Sequence, residues 1–103
     1  MANVNWTRHA IGTLDGIYHY LHREAPFYAE HTVQQLIDAA DILQDHPHAG
    51  RQVPEANRED IREVISKGYR VIYWVISDSQ IDILAVIHGS RDLDNPSNQP
   101  WDH

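Results

Sequence analysis

Along the first half of the chain, apolar residues recur every three to four positions. Ala10, Ile11, Leu14, Ile17, Tyr18 and Leu21 form one such series, opened by Thr7 as an N-cap, and they predict an amphipathic helix. Pro26 suits the first turn of a second helix, with Ala25 as the break before it. Ala29, Val33, Leu36, Ile37, Ala40 and Leu43 carry that helix's stripe until Asp45-His46-Pro47 ends it. Val4 and Trp6 predict a short strand ahead of both helices. Gly50 to Asp60 is polar and proline-bearing, hence a loop, and Gly68 serves a turn. Strands are expected at about Ile61 to Ile65, Tyr69 to Ser77 and Gln80 to His88.

A two-residue turn at Asp78-Ser79 sets the pairing of the last two strands. It places Tyr69, Val71 and Tyr73 on one face with His88, Val86 and Leu84. Arg70, Ile72 and Trp74 then share the other face with Ile87, Ala85 and Ile83. A loop one residue longer would exchange the faces. The fold class that follows is α+β: an N-terminal strand and a helical hairpin packed on one face of an antiparallel β-sheet, in the order β-α-α-β-β-β. One domain is expected over residues 1–93, with an irregular tail over 94–103. The strands are apolar on nearly both faces, and a helical hairpin covers one. The second face is therefore expected to be covered by a partner chain.

Composition narrows the class. At 103 residues and 42% hydrophobic content, the chain holds one domain with its own core. There is no cysteine, so disulfides and thiolate metal sites are excluded, and a reducing cytoplasm is the expected location. Met1-Ala2-Asn3-Val4-Asn5-Trp6 lacks the basic start and apolar run of a leader, and no apolar stretch nears the ~20 residues that span a bilayer. Net charge is -7, with the excess acid in residues 1–50 and in the tail from Asp92. Long-range attraction to a polyanion is not expected, although a local cationic pocket is compatible with the balance.

Ionisable groups beside apolar strands are the candidate chemistry. Arg62, Glu63, Arg70, His88 and Arg91 form the set: arginine forks hold phosphates or carboxylates, and a histidine beside them can move a proton near neutrality. Together they would position an RNA phosphate for attack by its own 2'-hydroxyl. The same residues also read as salt bridges across strands, with His88 a hydrogen-bonded strand end. His19 and His22 lie one helical turn apart, and His46 and His48 flank a proline, but no acid of metal-ligand spacing accompanies them. They read as solvated side chains, and neither a metal nor a cofactor is expected. Gly12 and Gly16 each cost a helix about 1 kcal/mol relative to alanine. Their spacing points to close approach by another backbone, either inside the fold or from a partner helix.

Several short motifs stand in a fixed order: Gly50-Arg51-Gln52-Val53-Pro54-Glu55, Ile61-Arg62-Glu63, Tyr69-Arg70, and His88 followed by Arg91. In that order, from Val4 to Arg91, the chain resembles the RelE/ParE toxin superfamily, and its ParE-like branch most closely. The resemblance implies the toxin of a two-gene, plasmid-stabilising toxin–antitoxin module, neutralised by a co-expressed antitoxin whose extended segment wraps it. It implies no membrane, and homodimers or toxin–antitoxin heterotetramers as assemblies. ParE-like members inhibit DNA gyrase by direct binding and have no catalysis of their own. RelE-like members cut mRNA on the ribosome, commonly with a tyrosine near the C-terminus. Here no tyrosine follows Arg91, Trp101 is the only aromatic of the tail, and the acidic balance opposes approach to ribosomal RNA. Those departures favour the gyrase-binding branch, with a RelE-like ribosome-dependent endoribonuclease as the alternative. Tyr69, Arg70, Trp74 and Arg91 are the expected partner-binding residues.

Overall fold

The computed structural model describes residues 1–102. The helical hairpin is as its periodicity predicts: α1 spans Arg8–His22 and α2 spans Pro26–Asp41, running on into a 3-10 turn at Ile42–Gln44. Thr7 starts α1 in two ways. Its Oγ1 accepts from the Ala10 N–H at 3.1 Å and donates to the Ile83 carbonyl at 2.7 Å. One hydroxyl thus caps the helix and ties it to a strand 76 residues away.

The described residues form one five-stranded sheet. β1 (Asn3–Trp6), β2 (Arg51–Gln52), β3 (Ile61–Ser66), β4 (Tyr69–Ser77) and β5 (Gln80–His88) stand in the order β1-β5-β4-β3-β2. β1 runs parallel to β5, so the sheet is mixed rather than antiparallel throughout. The first residues of the expected loop form β2, a two-residue strand whose exposed polar side chains carry no hydrophobic alternation. Lys67 and Gly68 close the β3–β4 hairpin with φ of 55° and 79°, both left-handed, as a type I′ turn requires. Asp78 and Ser79 close the β4–β5 hairpin, with Ser77 opposite Gln80.

The expected register holds from Tyr69↔His88 to Ile72↔Ala85 and then slips by one. Tyr73 faces Ile83, leaving Leu84 as the extra residue of a bulge. The slip corrects the expected faces: Ile83 joins Tyr73 beneath the helices, and Leu84 turns to the other side with Trp74. The Thr7 hydroxyl lies at the same place, on the Ile83 carbonyl and 3.5 Å from that of Leu84. No hydrophobic pattern announces such a contact.

Two cores result. Beneath the hairpin, Leu36, Leu43, Val71, Tyr73, Ile81 and Ile83 are wholly buried. Each such aliphatic side chain stabilises the fold by about 1.5–3 kcal/mol. On the reverse face Val53, Ile61, Ile72, Ala85, Ile87 and Leu93 form the second core, with Trp74 and Trp101 packed against it. The reverse face is therefore covered from within, by the 51–60 loop and by residues after β5. That corrects the expectation of a bare face awaiting a partner. The tail is not wholly irregular either: Pro96–Asn98 and Pro100–Asp102 are single 3-10 turns, and Pro100 is buried. His103 lies outside the described residues.

Candidate partner-binding groove

The Gly50–Glu55 motif explains itself once its contacts are traced. The Gly50 N–H donates to the Tyr73 hydroxyl at 2.9 Å. A Cβ at Gly50 would sit 2.5 Å from the Glu63 carbonyl oxygen and 2.7 Å from that hydroxyl, so only glycine fits. Arg51 donates through Nε to Glu63 at 2.6 Å, Val53 enters the second core, and both carboxylate oxygens of Glu55 accept from Arg70 at 2.9 and 2.7 Å. Arg70 Nε donates to the other oxygen of Glu63. The motif is a clip that seats the loop on the sheet.

Arg51, Glu63, Arg70 and Glu55 thus form an alternating chain of charge. The Glu63 side chain is fully buried and that of Arg70 only 7% exposed, so each is satisfied by its neighbours rather than by water. The Glu55 fork on Arg70 holds the guanidinium in its charged form far above any accessible pH. The same fork, working against partial burial, keeps the Glu55 carboxyl below its ordinary 4.5. Asp60, bound by Arg58, is likewise depressed below 3.8. Depressed acids lend stability that is present above their unfolded values and is lost as pH falls through their folded ones. Unfolding free energy is therefore expected to be flat in this respect above pH 5 and to decline below about 4.5. Denaturant melts across pH 2–6 check this, and Glu55→Gln should flatten part of the slope.

The five nuclease candidates do not converge. Glu63 and Arg70 lie on the reverse face, locked together. Arg62 alternates with them, on the helix side, and donates Nη1 to the Gly50 carbonyl at 2.9 Å. His88 and Arg91 stand apart, His88 as the last residue of β5 and Arg91 just beyond it. Of the expected partner-binding residues, Tyr69 and Arg91 line one open groove. Arg70 is buried, and Trp74 donates Nε1 to Asp60 at 3.0 Å on the reverse face.

That groove exists because β1 pairs with β5 only as far as Ile83. Beyond it, α1 takes over: Thr13 Oγ1 accepts from the Val86 N–H at 2.9 Å and donates to the Ala10 carbonyl at 2.7 Å. Gly16, Ile17 and Tyr20 of α1 face Tyr69, His88 and Arg91 across a cavity of about 530 Å³. A Cβ at Gly12 or Gly16 would meet nothing within 4 Å, which removes internal close packing as the reason for either glycine. The lining is mainly apolar, and apart from the two tyrosines its ionisable groups are His88 and Arg91. His88 Nδ1 accepts the Ser90 N–H at 3.2 Å and lies 2.6 Å from Ser90 Oγ. The neutral ring therefore carries its proton on Nε2. Tyr69 meets the His88 ring edge-on at 5.6 Å, and burial pushes its hydroxyl pKa up. Tyr20, Phe27 and Tyr28 are exposed where α1 turns into α2. Ile17 and Tyr20 were not among the expected binding residues, and the Gly12–Gly16 spacing was the one signal pointing toward them.

Among the described residues, no helix is long and apolar enough to cross a membrane. A family model described as "ParE toxin of type II toxin-antitoxin system, parDE" matches residues 4–93. A solved chain from "Chromosomal ParDE TA system from P. aeruginosa" shares the fold with a TM-score of 0.72 at 24% identity, covering 85% of this chain and 96% of that one. No curated protein matches. With the family model spanning the hairpin, the whole sheet and the groove, the chain belongs to the ParE toxin family of type II toxin–antitoxin systems.

Proposed function

We propose that this protein is a cytoplasmic toxin that inhibits DNA gyrase by direct binding and is neutralised by a cognate antitoxin seated in the α1–β5 groove. The observation that carries the non-catalytic reading is the fate of the arginines. Arg70 gives both edges of its guanidinium to Glu55 and Glu63, and Arg62 is tied to a backbone carbonyl. A phosphate would have to displace Glu55 and the buried Glu63 to reach Arg70, and a net charge of -7 opposes approach to RNA. The groove supports the antitoxin half of the reading. It is apolar, open and rimmed by His88 and Arg91, which suits an apolar segment carrying an acidic residue.

Induced expression in bacteria separates the targets. Loss of plasmid supercoiling with intact mRNA is expected; new mRNA ends by primer extension, with supercoiling retained, would transfer the protein to the endoribonuclease class. His88→Ala should leave toxicity within a fewfold of the parent. A loss of ~10²-fold or more would instead mark His88 as a general base. The product of the adjacent reading frame should co-purify with this chain.

A further inference from the structure

Arg91 belongs to two places at once. It lines the α1–β5 groove, and it also lines a smaller cavity on the other side of β5, where Nη2 donates to Asn98 Oδ1 at 3.1 Å. Asn98 sits in the strap that covers the reverse face. Leu93 and Pro100 anchor this strap in buried positions, and Trp101 packs beside Trp74 and Leu84. Two side-chain to backbone bonds also hold the strap, Asn98 Nδ2 to the carbonyl of Asp92 just before it and Gln99 Nε2 to the Leu93 carbonyl within it, both at 2.8 Å. The Arg91–Asn98 bond is thus a polar tie from β5's exit to the middle of the strap.

We propose that the strap, residues 93–102, is a displaceable cover latched by Arg91, and that an acidic group entering the groove releases it. A carboxylate is a stronger acceptor for a guanidinium than an amide oxygen, because it adds attraction between full opposite charges to the hydrogen bond. Asn98 holds Arg91 by Nη2 alone, so an acid on the groove side competes with it by drawing the guanidinium across into the groove. Released, the strap uncovers apolar surface around Trp74, Leu84 and Ile87. Occupancy of the groove and closure of the strap oppose each other, and by linkage a weakened strap raises affinity for an acidic groove ligand. The inference rests on the groove being the antitoxin's seat only for the identity of that ligand; the latch itself belongs to the free chain.

The test needs no partner. The three tryptophans, labelled as 5-fluorotryptophan, give three ¹⁹F resonances, with that of Trp101 assigned by Trp101→Phe. In the parent, Trp101 should resonate away from its position in denaturant. Arg91→Ala and Asn98→Ala should each raise the open population about tenfold, moving that signal toward the denatured position. Gly16→Glu places a carboxylate in the groove, where a Cβ meets no obstruction, and should do the same, whereas Gly16→Gln should not. Unmoved Trp101 signals in both latch variants would overturn the latch. Equal signals for Gly16→Glu and Gly16→Gln would overturn its release by acid. Neither result depends on whether an antitoxin binds, so failure here and failure of the antitoxin reading are separable.

Discussion

Arg70→Ala is expected to destabilise the fold by about 3–5 kcal/mol, most of the margin of a small domain. The variant would strand Glu63, whose side chain is fully buried, with Arg51 alone, and would free Glu55 from the only guanidinium bonded to it. A buried carboxylate left with one half-exposed partner accounts for the size of the effect, which is far beyond that of an exposed pair. Urea unfolding measures it directly, and Arg58→Ala serves as the contrast: its partner Asp60 is 40% exposed, so a loss below ~1 kcal/mol is expected there. Replacing Glu63 and Arg70 together by leucine and methionine should recover much of the loss, because the penalty lies in the orphaned charge. A cost for Arg70→Ala no greater than for Arg58→Ala would show that the chain of charge is not what seats the 51–60 loop.

The second large effect concerns the groove. Gly16→Phe should weaken the antitoxin complex about 100-fold, or ~2.7 kcal/mol, while leaving the circular dichroism spectrum and melting temperature at or above the parent's. Space above Gly16 is open in the free chain, so the ring meets no backbone and fills the volume a partner would occupy. Gly16→Ala is the control. It should gain up to about 1 kcal/mol of helix stability with much less effect on binding. Calorimetric titration of the purified antitoxin reads both variants. Unchanged affinity for Gly16→Phe would move the antitoxin's seat elsewhere.

The alternation of apolar and polar residues was enough to place α1, α2 and the three long strands, because each depends on neighbours a few positions away. Both hairpin turns were legible for the same reason. The family was legible too, through the Gly50–Glu55 motif and the spacing from Arg62 to Arg91. What each residue of that motif does was not. Arg70 read as a phosphate ligand in sequence, yet its partners Glu55 and Glu63 lie 15 and 7 residues back, brought in by the loop and by β3.

Chain-local periodicity therefore determined both helices, the three long strands and the fold class of this protein, but not β2. The tertiary structure alone decided three things. It set the slip at Leu84, where a hydroxyl from residue 7 meets a carbonyl at residue 83. It closed the reverse face with Val53, Leu93 and Trp101, so that no partner is needed to cover it. And it neutralised Arg70 while leaving His88 and Arg91 beside an open groove. The physical reason is common to all three: hydrophobic spacing shows that a surface must be covered and a charge must be paired, and only the folded chain selects which residue does it.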